Sequence, residues 1–343
     1  MTRSTDIRRW IIDHYLQDGL DGSELRLETR PMPELAPGQV LIKTRLLSLD
    51  ASNLLWLSER EDYLPQLQIG DPMRGHIIGQ VDASRHPAFR EGQHVVSLQS
   101  WSDYIVADGD TLLDDALTMT LELHPEIPLD AYVGTLGLTG WSAYAGMIDV
   151  GQVQPGERVL VSGAAGATGI MAAQIAKAAG ARVYGLAGGA KKCQLLVETL
   201  GLDGAIDYKG CDDLQAAIAE VIPDGVEVFF DNVGGETLDA VLPNMALHGR
   251  IVASGSVSQY GKAAQYGVKN LPLLTTKRLR IEGFMILDYL DRVPAMLEAL
   301  EQWFLEGRLL NQNHLLQGLE NAQAALPTLM SGGNTGKLAV YLD

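Results

Sequence analysis

Two cysteines, Cys193 and Cys211, are all that the 343 residues contain, too few for a disulfide framework or for a zinc lobe held by four thiolates. No apolar run approaches the ~18–20 residues of a membrane span. The first twenty residues carry Asp6, Arg8, Arg9, Asp13 and Asp18 and lack an apolar core, so no secretory signal is expected. Positive charge is scarce as well: 26 lysines and arginines stand against 43 aspartates and glutamates, a net charge of −17. A surface of that sign repels phosphate backbones and anionic headgroups, so no nucleic acid and no membrane is expected as a partner. These absences suit a reducing cytoplasm. What the chain does have is apolar content, 46% hydrophobic against 20% charged, which supports a large core and excludes disorder. Its length, about twice the ~150-residue prior for one domain, implies two.

From about Leu25 to Val106, short β-rich runs such as Val40 to Leu49 and His94 to Leu98 are punctuated by Pro37-Gly38, Gly70-Asp71-Pro72 and Glu91-Gly92, the spacing of an all-β domain. Near Asp130 the texture becomes rich in Gly, Ala and Thr, and after Pro155-Gly156 strand-like and helix-like segments alternate. Arg158 to Gly163, a short apolar run closed by glycine, reads as a buried parallel strand leading into a helix. Ala181 to Ala187, Glu227 to Gly234 and Gly249 to Gly255 repeat the unit. An α/β fold with a Rossmann doubly wound parallel sheet is expected over 131–307. A β-rich catalytic domain is expected from 1–130 with 308–343, its last strand, KLAVYLD, returning to the first domain.

Between strand and helix stands Ser162-Gly163-Ala164-Ala165-Gly166-Ala167-Thr168-Gly169, a variant of the dinucleotide fingerprint. Glycines at Gly163, Gly166 and Gly169 permit a tight turn, bring backbone N–H groups of Ala167 and Thr168 against a pyrophosphate, and let the helix pack closely on the strand. An NAD site would place Asp or Glu about 20 residues further on. Here Ala187, Gly188, Gly189 and Ala190 are followed by Lys191 and Lys192, cations suited to a ribose 2′-phosphate. NADPH/NADP+ is therefore the expected cofactor, with Lys192 as its marker and Lys191 on a solvated face. Zinc is not expected: no cysteine precedes the fingerprint, His76 is the one candidate ligand in a suitable loop, and a single histidine cannot hold the metal.

Six ordered blocks carry a resemblance over nearly the whole chain: Pro33 to Asp50, Leu136 to Gly169, Phe229 to Leu242, Gly249 to Tyr260, Glu282 to Tyr289 and Asn334 to Val340. Together they resemble the zinc-free medium-chain dehydrogenase/reductases, specifically the NADPH-dependent alkenal, prostaglandin and curcumin double-bond reductases. The resemblance implies a GroES-like catalytic domain beside the Rossmann domain, and a homodimer. It implies that Lys192 and Tyr208 hold the 2′-phosphate, with Gly188 alongside, and that Asn232, Ser256 and Asn334 contact the rest of the cofactor. The backbone of Phe284, Met285 and Ile286 would lie by the carboxamide, Thr139 near the ring, and Tyr260 over the nicotinamide and substrate. Phe284 reads equally as an aromatic of the core. Two departures bear on the substrate pocket. Where the family has Asp-Pro-Tyr-Met-Arg, this chain has Asp50-Ala51-Ser52-Asn53-Leu54, and His76 follows Gly75 where the family often has tyrosine.

The expected activity is NADPH-dependent reduction of the C=C bond of enones and enals, with hydride delivered to the β-carbon and no metal. Tyr260 is the first candidate donor to the developing enolate oxygen. His76 either gives the α-carbon its proton, orients a water, or is a histidine satisfied in the core. Ser52, Asn53, His76 and Tyr260 would line the substrate pocket. Quinone reduction on the same scaffold, and a non-catalytic NADPH-binding protein, are the alternatives.

Overall fold

Apolar side chains occupy both faces of Gln39–Leu49, a pattern that demands cover above and below. In the computed structural model of the chain, which describes residues 5–16, 19–59, 64–260 and 264–342, this segment is an inner strand, β3. Before it come β1 (Asp6–Ile12) and β2 (Leu25–Pro31), which pair antiparallel with each other. After it come β4 (Arg74–Ser84), β5 (His94–Ser100), β6 (Tyr104–Asp108) and β7 (Met119–Leu121). The chain then leaves for a second unit and returns with β14 (Asn313–Gln317) and β15 (Lys337–Tyr341). The sheet runs β14-β15-β3-β4-β5-β7, with β6 also paired to β3. The last strand lies antiparallel on β3, Leu338 opposite Leu49 and Val340 opposite Leu47. Its core gathers Ile42, Leu47, Trp56, Trp101, Leu338 and Val340. In β4 a Cβ at Gly75 would stand 2.4 Å from the Trp101 indole nitrogen, so glycine there lets Trp101 bury completely beside His76.

The second unit is built on β8 (Arg158–Val161), β9 (Arg182–Ala187), β10 (Gly204–Asp207), β11 (Val226–Asp231), β12 (Met245–Ala253) and β13 (Arg280–Gly283). All pair parallel, in the order β10-β9-β8-β11-β12-β13. This is the doubly wound arrangement, with the order reversing between β8 and β11. The helix Ala167–Ala178 buries Ile170, Met171, Ala172, Ala173, Ile175 and Ala176 and packs on β8 and β9.

The two units are Met1–Val133 with His314–Asp343, and Gly134–Asn313. The division falls a few residues beyond the change in sequence texture at 130 and 307, for a reason visible at each crossing. The turn Leu129–Val133 packs on β3 and β4. The stretch after 307 is tied into the second unit, because Leu310 N–H donates to Gln174 Oε1 at 2.7 Å and Thr135 Oγ1 to Asn311 Oδ1 at 3.0 Å. Among the described residues no helix is long and apolar enough to cross a membrane.

Candidate functional site

The candidate residues fall into two groups, one in each unit. In the second unit the loops after β8 and β11 meet where the strand order reverses, the position at which open parallel sheets receive ligands. Gly163 takes φ +58°, which turns the chain out of β8. A Cβ at Gly169 would stand 2.2 Å from the Gly163 carbonyl oxygen, so only glycine lets the helix close on that turn. Gly166 caps the helix, and the amides of Ala167 and Thr168 open its first turn, where the helix dipole favours an anion. The tight turn and the close helix packing are as the spacing predicts.

Asp231 holds the two loops together. Its Oδ1 accepts from Ser162 Oγ at 2.8 Å and from the amides of Val233 and Gly234, each at 3.0 Å. Asn232 closes the stitch from the other side, its Nδ2 donating to the Ser162 carbonyl at 2.8 Å. Burial pushes the Asp231 carboxyl up, against the pull of these donors.

No carboxylate ends β9. The acid of this region is Asp207, at the end of β10, and it is occupied by backbone, accepting from the amides of Gly189 at 2.7 Å and Lys209 at 3.0 Å. That anchors the turn at Gly189, where φ is +98°, and brings two side chains onto the neighbouring glycine. A Cβ at Gly188 would lie 2.9 Å from both Tyr208 Oη and Lys209 Cε. Lys192 is half-buried, and its ammonium titrates below the ordinary lysine value, first because of that burial and then because Lys209 is close. A half-buried cation with a second, exposed cation close to it fits a doubly charged phosphate, which would offset both the burial of Lys192 and the repulsion from Lys209. Lys209 was not legible in the sequence, because it reaches Gly188 only through the pairing of β10 with β9.

Further along the sheet ends, Thr139 is buried at the start of the helix Leu138–Tyr144, its Oγ1 donating to the Gly134 carbonyl at 3.0 Å. The Phe284 ring is half-buried, edge-on to Tyr289 with centroids 6.2 Å apart. It also packs on Gly146, where a Cβ would meet it at 2.8 Å. The packing leaves Phe284 its backbone to offer, with Met285 exposed and Ile286 buried beyond it. Ser256 packs on Gly234 and precedes the single turn Val257–Gln259. Tyr260 ends that turn with its hydroxyl over Gly255, 3.5 Å from where a Cβ would stand.

The first unit holds Ser52, Asn53, His76 and Asn334. Ser52 opens the short helix Ser52–Trp56 and is partly exposed. Asn53 is wholly buried: its Oδ1 accepts from the Asp50 amide at 2.7 Å and its Nδ2 donates to the Arg74 carbonyl at 3.2 Å. Asn334 is also buried, its Nδ2 donating to the Gly336 carbonyl at 2.9 Å. His76, on β4, keeps some exposure, yet packed atoms surround its ring. Burial pushes its pKa from 6.5 down to about 4, with Asp50 opposing and Lys337 reinforcing the shift.

That shift has a consequence for stability. Between pH 6.5 and about 4 an unfolded chain protonates His76 and the folded chain does not. The stabilisation is therefore present above pH 6.5 and lost as pH falls toward 4, by on the order of 3 kcal/mol. Urea unfolding at pH 7 and at pH 4.5 should show the loss, and His76→Gln should flatten it. An equal slope in the variant would refute the buried neutral ring.

Two family models match the chain, one described as the N-terminal domain of oxidoreductase over residues 8–114 and one as zinc-binding dehydrogenase over residues 167–302. An NADPH-dependent curcumin reductase of Escherichia coli (strain K12) is 35% identical over 339 residues, covering 97% of this chain and 96% of that protein. A 2-alkenal reductase (NADP(+)-dependent) of Nicotiana tabacum is 38% identical over 307 residues, covering 89% and 87%. The solved structure of CurA from Vibrio vulnificus in complex with NADPH superposes with a TM-score of 0.90 at 33% identity, covering 98% of this chain and 99% of that one.

Proposed function

The chain belongs to the NADPH-dependent double-bond reductases of the medium-chain dehydrogenase/reductase family, and from that premise we propose how its residues divide the work. It is an oxidoreductase that uses NADPH to reduce the C=C bond of α,β-unsaturated aldehydes and ketones. The observation that carries the cofactor assignment is the closeness of two cations, Lys192 and Lys209, the second of them packed with Tyr208 on Gly188. Those side chains would take the 2′-phosphate. The glycine turn and the amides of Ala167 and Thr168 would take the pyrophosphate. Thr139, Asn232, Ser256, Asn334 and the backbone from Phe284 to Ile286 would bound the remainder.

When bound, the reduced nicotinamide supplies a hydride for the β-carbon. As the C=C electron pair moves toward the carbonyl, negative charge grows on its oxygen, and the Tyr260 hydroxyl is the donor placed for it. The α-carbon then needs one proton. With its pKa near 4, His76 is a neutral imidazole at pH 7, so it holds no imidazolium proton to give. Its part is to order a water that protonates the carbon. Ser52 and His76 meet the substrate.

We further propose that turnover needs no metal. In support, no three His, Cys, Asp or Glu side chains among the described residues come together as a ligand set. NADPH oxidation with an enone, an enal and a quinone, in the presence of a chelator, tests the whole reading. The expected order is enone and enal above quinone, with the chelator inert. Turnover of quinone alone, or none with any acceptor, would overturn it.

Two placements complete the proposal. The chain works as a homodimer: β13 lies at the edge of the parallel sheet, paired on one side to β12, and all four of its residues are exposed, including Ile281. A second copy pairing there would continue the sheet across that edge. Light scattering should give the mass of two chains, and a monomer at micromolar concentration would refute it. The compartment is the cytoplasm, consistent with the two unpaired cysteines.

A further inference from the structure

Asp50 directly follows β3, and its carboxylate receives the ammonium of Lys337, the first residue of β15, together with the hydroxyl of Ser48. Lys337 is only 2% exposed, and its Nζ also donates to the Leu49 carbonyl at 3.3 Å. Taking both charges out of water is costly, and a buried ion pair is often no more stabilising than apolar residues of the same size. The pair therefore calls for a reason other than stability, and its surroundings supply one. The pairing of Leu47 with Ile77 sets His76 across from the end of β3, and three charged groups act on its ring: Asp50 just after β3, Lys337 from β15, and Asp115 from the turn after the helix Gly109–Asp114. Asp50 favours a proton on the ring and Lys337 opposes it, so the two fields work against each other at the imidazole.

We infer that Lys337 is a positioning residue of the reductase: by pairing with Asp50 it cancels that carboxylate's charge, which preserves the neutral imidazole that burial gives His76 where it meets the substrate. The benefit is chemical. An unpaired carboxylate in the pocket would oppose the negative charge that grows on the carbonyl oxygen, and would draw His76 toward its protonated form. The substrate suited to the native pocket is uncharged where it meets Ser52 and His76, as a simple enone or enal is. The pocket half of this inference rests on the reading of His76 and Ser52 given above, whereas the electrostatic half does not.

The test is an NMR titration of the full chain labelled with 15N-histidine, the His76 signal being assigned by its loss in His76→Gln. The native ring should titrate near 4. In Lys337→Met its midpoint should rise by about two pH units, as expected for a ring left beside an unpaired carboxylate. Lys337→Arg, which keeps the charge, should restore the native midpoint. The double variant Asp50→Asn/Lys337→Met removes both fields and should stay within about one pH unit of native. An unmoved midpoint in Lys337→Met, with the proton taken by Asp50, would overturn the inference. So would a larger displacement in the double variant, which decides the matter if the single variant does not fold. Enone kcat/KM in Lys337→Met should acquire a neutral-range pH dependence. A flat profile beside a displaced NMR midpoint would remove His76 from the pocket while leaving the charge cancellation standing.

Discussion

A Tyr260→Phe variant should bind NADPH as tightly as the native chain and reduce an enone about a hundredfold more slowly. The substitution removes one oxygen from a hydroxyl that lies over Gly255, beyond the end of β12, and leaves the ring to pack as before. Losing one donor to a developing oxyanion typically costs about 10²–10³ in kcat. The backbone of the turn Val257–Gln259 is anchored independently, the Val257 amide donating to the Asn232 carbonyl at 3.1 Å and that of Ser258 to Val233 at 3.1 Å. Cofactor affinity should therefore be preserved, and fluorescence titration with NADPH beside steady-state enone kinetics separates the two effects. Unchanged kcat would dismiss Tyr260 as the donor, and a matching loss of NADPH affinity would make it a cofactor ligand instead.

Lys192→Ala should weaken NADPH by about 2 kcal/mol, roughly thirtyfold, and NADH by less than about twofold. The loss is bounded because Lys209 stays. Removing Lys192 also lifts the repulsion between the two ammonium groups, so Lys209 recovers part of the attraction. Lys192→Ala/Lys209→Ala removes both, and its NADPH loss should exceed the sum of the single losses. Equal effects on the two cofactors in the double variant would place the adenosine phosphate elsewhere.

What the sequence makes legible follows from how locally each feature is specified. The strand Arg158–Val161 and its glycine turn announce themselves because turn, cap and close packing all fall within eight residues, Ser162 to Gly169. The strands Gly204–Asp207 and Arg280–Gly283 do not: each has four residues, the first begins on a glycine, and the second is exposed throughout. Neither carries an apolar run to betray it. The same contrast holds in the site. Lys192 is legible because it sits a fixed distance beyond the fingerprint, whereas Lys209 acquires meaning only when β10 lies beside β9. Asp207 shows the reverse hazard, an acid close to the ribose end whose carboxylate is spent on the amides of Gly189 and Lys209. Asn53 carries the same lesson, since residue type and position suit a pocket while its amide is tied to backbone at both ends. Resemblance supplied the assignments of Thr139, Ser256 and Asn334, which no local pattern of charge or glycine marks.

Lys337 follows Asp50 by 287 positions, and this has a bearing on biosynthesis. Residues 134–313 form an uninterrupted unit, so all of it has been translated while the β-rich sheet still lacks its closing strand. Until β15 emerges from the ribosome, the carboxylate at the end of β3 has no counterion to be buried with. A nascent chain must therefore keep that edge hydrated, and the β-rich unit can lock shut only after β15 has been made and has paired with β3.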